Sequence, residues 1–594
     1  MCGIAGEIRF DGRAADVAAV ARITAAQHRR GPDGSGLHAS GPVAFGHRRL
    51  KIIDLSERGA QPMVDPGLGL TLVFNGCVYN HHDLRAELEA AGYRFFSTSD
   101  SEVVLKAFHR WGPSCVERFV GMFAFAVHER DTGTVTLARD RLGIKPLYLA
   151  RDAGRLRFAS TLPALLSGGG VDTTIDDVAL HHYLTFHAVV PAPHTILNGV
   201  RKLPPATVRT IAPDGTERDH VYWRPEHVRR DEYRSLDAGG WAELLGERLR
   251  TAVRRRMTGD VPVGVLLSGG LDSSLVVALL AEQGQRGLRT FSVGFPSAGG
   301  ERGDEFEFSD LVAAEFGTDH ERIMVSPERM LPAVDACVAA MSEPMVSHDC
   351  VAFHLLSEDV SSSVHVVQSG QGADEVLAGY GWYPPLASVP REEAAHAYAA
   401  VFTDRPHAAL RDILEPGRVP SSDPSRRLIG DHFAEPGATT ALDAALRLDS
   451  TVMLVDDPVK RVDNMTMAWG VEARVPFLDH ELVEAMAACP PEHKLAHGGK
   501  GVLKSAARGV VPDAVIDRRK GYFPVPAVRH LSGGLLDRVR DAVTDPAARE
   551  RGLVRRDWVE RMLADPNSGR TTLGSNALWQ VAVLEMWLQE RGIR

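Results

Sequence analysis

VPVGVLLSGGLDSSLVVALLAEQ, residues 261–283, is the stretch on which the fold turns. It opens as an unbroken apolar run, the mark of a strand buried on both faces, breaks at Ser268-Gly269-Gly270, and resumes in the helix-forming LVVALLAE. A helical pattern from Trp241 to about Met257 leads into it. A further strand is expected at 290–295, a helix at 309–316, and another apolar strand at 364–368 that ends in SGQGADE (369–375). Strands alternating with helices predict a parallel α/β sheet.

The turn in that stretch has its own chemistry. Backbone N–H groups of Ser268, Gly269 and Gly270 can crowd around an anion, the next helix adds its N-terminal partial charge, and Ser268, Ser273 and Ser274 can donate hydroxyls. No lysine stands where a phosphate loop of the Walker type has one, and Asp272 lies beside the anion, which makes sense with a cation between them. Magnesium pyrophosphate fits. A bare Ser-Gly-Gly reads equally as an ordinary strand–helix turn; the full SGGxDSS string is far more specific. In the second turn Asp374 reads as a further magnesium ligand, or, with Glu375, as a helix cap.

The front of the chain reads differently. Short β-rich stretches at 43–45, 70–74, 122–128, 134–139, 147–150 and 156–159 alternate with helical patterns at 83–91 and 102–111, so residues 2–210 are expected as an α+β sheet domain. Residues 211–240 turn polar and charged, as a linker does, and a second domain spans 241–594. The Pro-, Arg-, Ser- and Asp-rich segment 385–440 is expected as a mobile insertion on the parallel sheet.

Composition narrows the partners. Lys and Arg number 67 against 77 Asp and Glu, a net charge of −10 without long single-sign runs, which argues against capture of nucleic acid or anionic lipid. The six cysteines form no CxxC pair and no dense block, so neither a cysteine zinc site nor a disulfide framework is expected, and a reducing cytoplasm is the simpler home. No basic-then-apolar leader is visible, and the apolar region 261–280 is cut by Ser-Gly-Gly and Asp272, so no membrane segment is expected.

The chain opens MCGIAGEIRF. With Met1 removed, Cys2 carries a thiol and a free α-amino group, and an amine of pKa about 7.7–8.0 can accept the proton of its own side chain. Asn75-Gly76 can supply a side-chain amide and a backbone N–H to an oxyanion. Arg49 can grip a substrate carboxylate and Asp100 a substrate ammonium. Singly, Arg49 reads as a surface ion pair, Asn75-Gly76 as a hairpin turn and Asp100 as a helix N-cap. With a cysteine at position 2 they compose a glutamine site.

Ordered strings carry a resemblance over nearly the whole chain: MCGIAG, HRRGPDGSG (28–36), HRRLKIIDL (47–55), AQP (60–62), Asn75-Gly76 with Tyr79-Asn80, GMFAFA (121–126), ARDRLGIKPLYL (138–149), LLSGGLDSS (266–274), FSVGF (291–295), SGQGADE and WGVEARVPFLD (469–479). The chain resembles the glutamine-hydrolysing asparagine synthetase family. That resemblance implies an Ntn-hydrolase-type αββα glutaminase followed by an ATP pyrophosphatase-type (PP-loop) synthetase domain. It implies that Cys2 forms a glutamyl thioester and frees ammonia, with Asn75 and Gly76 as the oxyanion hole and Arg49 and Asp100 on the amino-acid end of glutamine. Ammonia then passes through an internal channel to a carboxylate activated as its AMP ester. ATP is implied near Leu267, Ser268, Gly269, Gly270, Asp272, Ser273, Val293, Ser369 and Gly370, Mg2+ near Asp272 and Asp374, and Lys500 on the phosphate. A homodimer is the family's habit.

Two positions depart from the family pattern. Asn-Gly-Glu is usual in the glutamine pocket, and here the third residue is Cys77; Ser-Gly-Glu-Gly is usual in the second turn, and here Gln371 replaces the acid. SGQGADEVLAGYGWYPP (369–385) and RKGYFPVP (519–526) resemble the branch that amidates the dipeptide N-acetylglutaminylglutamine, an osmoprotectant precursor. A dipeptide acceptor is therefore expected, with aspartate as the leading competitor. A β-lactam-forming relative would lack the working cysteine, and a non-catalytic scaffold would have lost site residues that all stand here.

Overall fold

The computed structural model of the chain describes residues 2–296, 303–519, 521 and 530–594. Its first unit is built on strands β1 (Gly3–Arg9), β2 (Gly34–Ser40), β3 (Val43–Arg49), β4 (Met63–Asp65), β5 (Leu70–Val78), β6 (Gly121–Glu129), β7 (Val135–Arg139), β8 (Tyr148–Arg151), β9 (Arg155–Ala159), β10 (Arg201–Lys202), β11 (Thr207–Ile211) and β12 (Glu217–Val221). They form two antiparallel sheets, ordered β10-β8-β9-β1-β3-β2 and β12-β11-β7-β6-β5-β4.

Period-two alternation decides the layering. Val73, Ala124 and Ala126 face Ile4, Ile8 and Phe45 of the other sheet in one shared core. Their neighbours Leu72, Phe74, Phe123 and Phe125 point the opposite way, onto Val103, Val104 and Phe108 of the helix Asp100–Trp111. Helices Val17–Ala26 and Leu162–Ser167 cover the outer face of the first sheet through Val20, Ile23 and Leu165. The result is the expected helix–sheet–sheet–helix sandwich. Residues 217–221, read from sequence as part of a linker, form β12, the exposed edge of the second sheet, and their polarity is that of a solvated edge strand.

The second unit opens with the helix Ala238–Arg255 and carries β13 (Val263–Leu266), β14 (Arg289–Gly294), β15 (Asp319–Met324), β16 (Val366–Gln368) and β17 (Glu472–Arg474), all parallel, in the order β15-β14-β13-β16-β17. The helix Leu271–Glu282 follows β13, as the opening stretch predicts. Connections run to β14 on one side of β13 while β16 lies on the other, so a topological switch point falls between β13 and β16. Both Ser-Gly turns leave the sheet there.

The segment 385–440 corrects its expectation of mobility. It forms helices Ala394–Phe402 and Pro424–Ala434 around a core of Tyr383, Tyr398, Phe402, Ile429 and Phe433, and the hydroxyls of Tyr383 (2.6 Å) and Tyr398 both donate to buried Asp449. The Pro- and Arg-rich composition lies in its loops; the apolar residues that pack are spaced on helix faces between them.

All six cysteines are buried free thiols. Among the described residues no helix is long and apolar enough to cross a membrane.

Candidate active site

Cys2 enters β1, the strand between β9 and β3, and its side chain is buried in a pocket lined also by Arg49, Gln61, Gly76, Cys77, Asp100 and Glu472. Its backbone N–H donates to Asn75 Oδ1 at 3.0 Å, and its carbonyl accepts from Arg30 Nε at 3.3 Å. Burial pushes the Cys2 thiol pKa up, against the Leu50 backbone N–H and the Arg49 charge, which lower it. A thiol so placed needs a base to become a nucleophile.

Asn75 and Gly76 lie inside β5, opposite Ala124 and Phe123 of β6, so they make no hairpin turn. A Cβ at Gly76 would come within 2.2 Å of the Met122 carbonyl oxygen; glycine is what lets the strands approach. Asn75 is fully buried, and its Nδ2 has no hydrogen-bond partner among the described residues. An amide donor left unpaired inside a protein is costly, on the order of 1–3 kcal/mol, and such groups cluster where a ligand completes them.

Arg49, at the end of β3, is buried and makes no ion pair among the described residues: Nη1 donates to the Ser56 carbonyl at 2.7 Å and Nη2 to that of Asp54. Ser99, not Asp100, caps the following helix, accepting from Ser101 N–H at 3.2 Å. Asp100 is freed for the pocket, where its carboxylate takes the Val78 N–H at 3.1 Å. Burial pushes the Asp100 pKa up to about 6, the Val78 N–H opposing and the nearby Glu472 charge adding to the rise.

Glu472 is the residue that sequence reasoning missed. It comes from β17 of the second unit, yet lines the Cys2 pocket, buried and accepting from Arg474 Nε at 2.6 Å. Although burial raises its pKa, Arg474 and Lys145 help hold it down to about 2, below the ordinary carboxyl value. Arg474 Nη2 also reaches Cys77 Sγ at 3.9 Å. Where the family usually places a carboxylate on β5, this pocket has a thiol, with a carboxylate from the other unit beside it. The only sequence signal was the string WGVEARVPFLD; its meeting with Cys2 depends on how the units dock.

The second cluster sits at the switch point. Ser268 N–H and Oγ lie 3.2 and 3.1 Å from Ser273 Oγ, and Gly270 N–H donates to Ser268 Oγ at 3.3 Å. Gly269 has φ +71°, and a Cβ there would lie 2.7 Å from Ser309 N, so the turn admits only glycine. Ser369 N–H, at the end of β16, donates to the Arg474 carbonyl at 2.8 Å, and Gly370 packs on Asp272 and Ser273. Leu267 N–H is held by the Phe291 carbonyl at 2.8 Å, with half-buried Val293 further along β14. Lys500 Nζ bridges Asp272 Oδ2 (2.6 Å) and Asp374 Oδ1 (2.9 Å), and these acids raise its pKa although burial lowers it. Gln371 follows Gly370 directly, partly exposed. Of RKGYFPVP (519–526), only Arg519 and Gly521 fall within the described residues.

Where the two units meet there is a group of buried charges: Arg30 and Lys145 on Asp463, and Lys202 on both Glu343 (3.0 Å) and Asp456 (2.6 Å). A small cavity there is lined by Ile144, Tyr148, Lys202, Asp456, Lys460 and Asp463. The arrangement can present a thiol to an amide in one cluster and an anion-binding turn in the other, with buried charge where the two units meet.

A family model described as asparagine synthase matches residues 244–589, and one described as a glutamine amidotransferase domain matches residues 1–223. Asparagine synthetase [glutamine-hydrolyzing] 1 of Bacillus subtilis is 30% identical over 94% of this chain and 91% of its own length. Asparagine synthetase B of Escherichia coli is 27% identical over 88% and 82%. Amidase chry2 of Gibberella zeae is 27% identical over 89% and 88%.

Proposed function

The chain belongs to the asparagine synthase family and carries a glutamine amidotransferase domain at its front, and from that premise we propose how its residues divide the chemistry. As a family member it is a glutamine-hydrolysing, ATP-using ligase.

With Met1 removed, the Cys2 amine takes the thiol proton, and sulfur attacks the side-chain carbonyl carbon of glutamine. The carbon–nitrogen bond breaks, the proton passes to the departing ammonia, and a glutamyl thioester remains for water to hydrolyse to glutamate. Asn75 Nδ2 and the Gly76 N–H stabilise the oxyanion, while Arg49 and Asp100 hold the carboxylate and ammonium of the substrate. The observation that carries this reading is the Asn75 side chain: its oxygen is fixed on Cys2 N–H, and its buried nitrogen has no partner among the described residues.

In the second unit the acceptor carboxylate attacks the α-phosphorus of ATP, releasing pyrophosphate, and ammonia displaces AMP to give the amide. Leu267, Ser268, Gly269, Gly270, Asp272, Ser273, Val293, Ser369 and Gly370 would surround the nucleotide, with Lys500 on its phosphates. The donor set fits magnesium: two carboxylates, Asp272 and Asp374, already converge on one positive charge, that of Lys500. Bound there, the ion would offset the charge of departing pyrophosphate. Ammonia crosses the buried junction without meeting bulk water, which keeps it unprotonated and nucleophilic.

For the acceptor we favour N-acetylglutaminylglutamine, because Gln371 replaces an acid in the second turn and a dipeptide lacks the free α-ammonium that aspartate presents. The names of the relatives favour aspartate. Pyrophosphate release with glutamine, ATP and Mg2+, run in parallel with each acceptor, decides: turnover with the dipeptide alone is expected, and turnover with aspartate alone overturns the assignment.

A further inference from the structure

Away from both clusters, three side chains from distant parts of the chain meet at the boundary between the units. His181 lies on the helix Asp177–Thr185 of the first unit; His407 and Asp423 belong to the helical segment of the second, Asp423 capping the helix Pro424–Ala434. One ligand atom from each falls within 4.8 Å of the others. His181 Nε2 is 2.9 Å from His407 Nδ1 and 3.7 Å from Asp423 Oδ1. Tetrahedral coordination at bond lengths of about 2.0–2.1 Å places ligand atoms roughly 3.3 Å apart, and the two distances bracket that spacing.

A second shell is also in place. Ser425 Oγ lies 2.9 Å from both His181 Nδ1 and His182 Nδ1. One hydroxyl between two imidazoles can donate to one and accept from the other. Where it accepts from His181 Nδ1–H, the tautomer leaves the Nε2 lone pair facing His407 and Asp423, as ligating histidines require. His181 is fully buried, so its ring is held in place by these contacts rather than by solvent.

We propose that His181, His407 and Asp423 bind one divalent transition-metal ion of the zinc class, which staples the helix Asp177–Thr185 to the helical segment of the second unit. Two imidazoles and a carboxylate suit zinc better than magnesium or calcium. Asp423 and His407 are partly exposed, so solvent can complete the coordination. The role is structural, since none of the three lines the Cys2 pocket or the nucleotide turns.

The test is metal content of the full chain after exposure to zinc and gel filtration, compared with His407→Asn and Asp423→Asn, both at partly exposed positions where folding should survive. Zinc near one equivalent in the parent and below a tenth of that in each variant is expected, with cobalt giving the visible absorption of a tetrahedral site in the parent only. Chelation should lower the parent's melting midpoint and leave the variants' unmoved. Equal zinc in parent and variants would place the metal elsewhere, and a parent that holds none would reduce the cluster to a hydrogen-bonded chain; either result overturns the proposal.

Discussion

Arg30 and Asp463 join the two units by two hydrogen bonds, Nη1 to Oδ2 at 2.8 Å and Nη2 to Oδ1 at 3.3 Å, with both side chains buried. The same guanidinium donates from Nε to the Cys2 carbonyl. Removing the acid strands two buried cations, Arg30 and Lys145. Asp463→Ala is therefore expected to destabilise the chain by about 3–5 kcal/mol, measured by denaturant unfolding. It should also lower glutamine-dependent more than ammonia-dependent synthesis, because it loosens the boundary between units that we propose ammonia crosses.

Cys2→Ala should abolish glutamine-dependent synthesis and leave ammonia-dependent synthesis and ATP–pyrophosphate exchange intact. Asn75→Ala should keep the thiol yet reduce glutaminase turnover by about 10²–10³. Loss of exchange in either variant would contradict the separation of the two sites.

Asp272→Asn removes one of the carboxylates on Lys500. Exchange of labelled pyrophosphate into ATP should fall to background while glutamine hydrolysis continues. An unchanged exchange rate would remove Asp272 from the nucleotide site.

Asp100 has a folded-state pKa of about 6. In the role we propose for it, only its ionised form attracts the ammonium of glutamine, so glutamine affinity, measured in the Cys2→Ala protein to remove turnover, should weaken as pH falls below about 6. Asp100→Asn should bind weakly at every pH and lose that transition. For folding the sign is opposite. Because the folded value lies above the ordinary carboxyl value of about 3.9, ionising Asp100 costs stability as pH rises between the two, and the cost persists above.

Gln371→Glu restores the acid that asparagine synthetases usually carry in the second turn. A shift of kcat/KM toward aspartate is expected in competition with the dipeptide. If the ratio does not move, position 371 does not set acceptor choice.

What could be read from sequence was local. SGGLDSS contains strand end, turn and helix start within a few residues, and MCGIAG places Cys2 without reference to the rest of the fold. The expected strands at 70–74 and 122–128 stand inside β5 and β6 because period-two alternation needs only neighbours. What could not be read was made by docking. Glu472 reaches Cys2 only when two units pack, and His181, His407 and Asp423 meet only across that same boundary. β15 and β17 were missed because one is a polar edge and the other three residues long. Residues 385–440 misled because loop composition outweighed a few well-spaced aromatics.

Strand β17 has one further consequence. Its Arg474 carbonyl holds the Ser369 turn, and two residues earlier its Glu472 side chain walls the Cys2 pocket. One short strand thus touches both clusters. An amidotransferase unit severed after residue 223 would be a vessel with a side missing, because Glu472 lies beyond the cut.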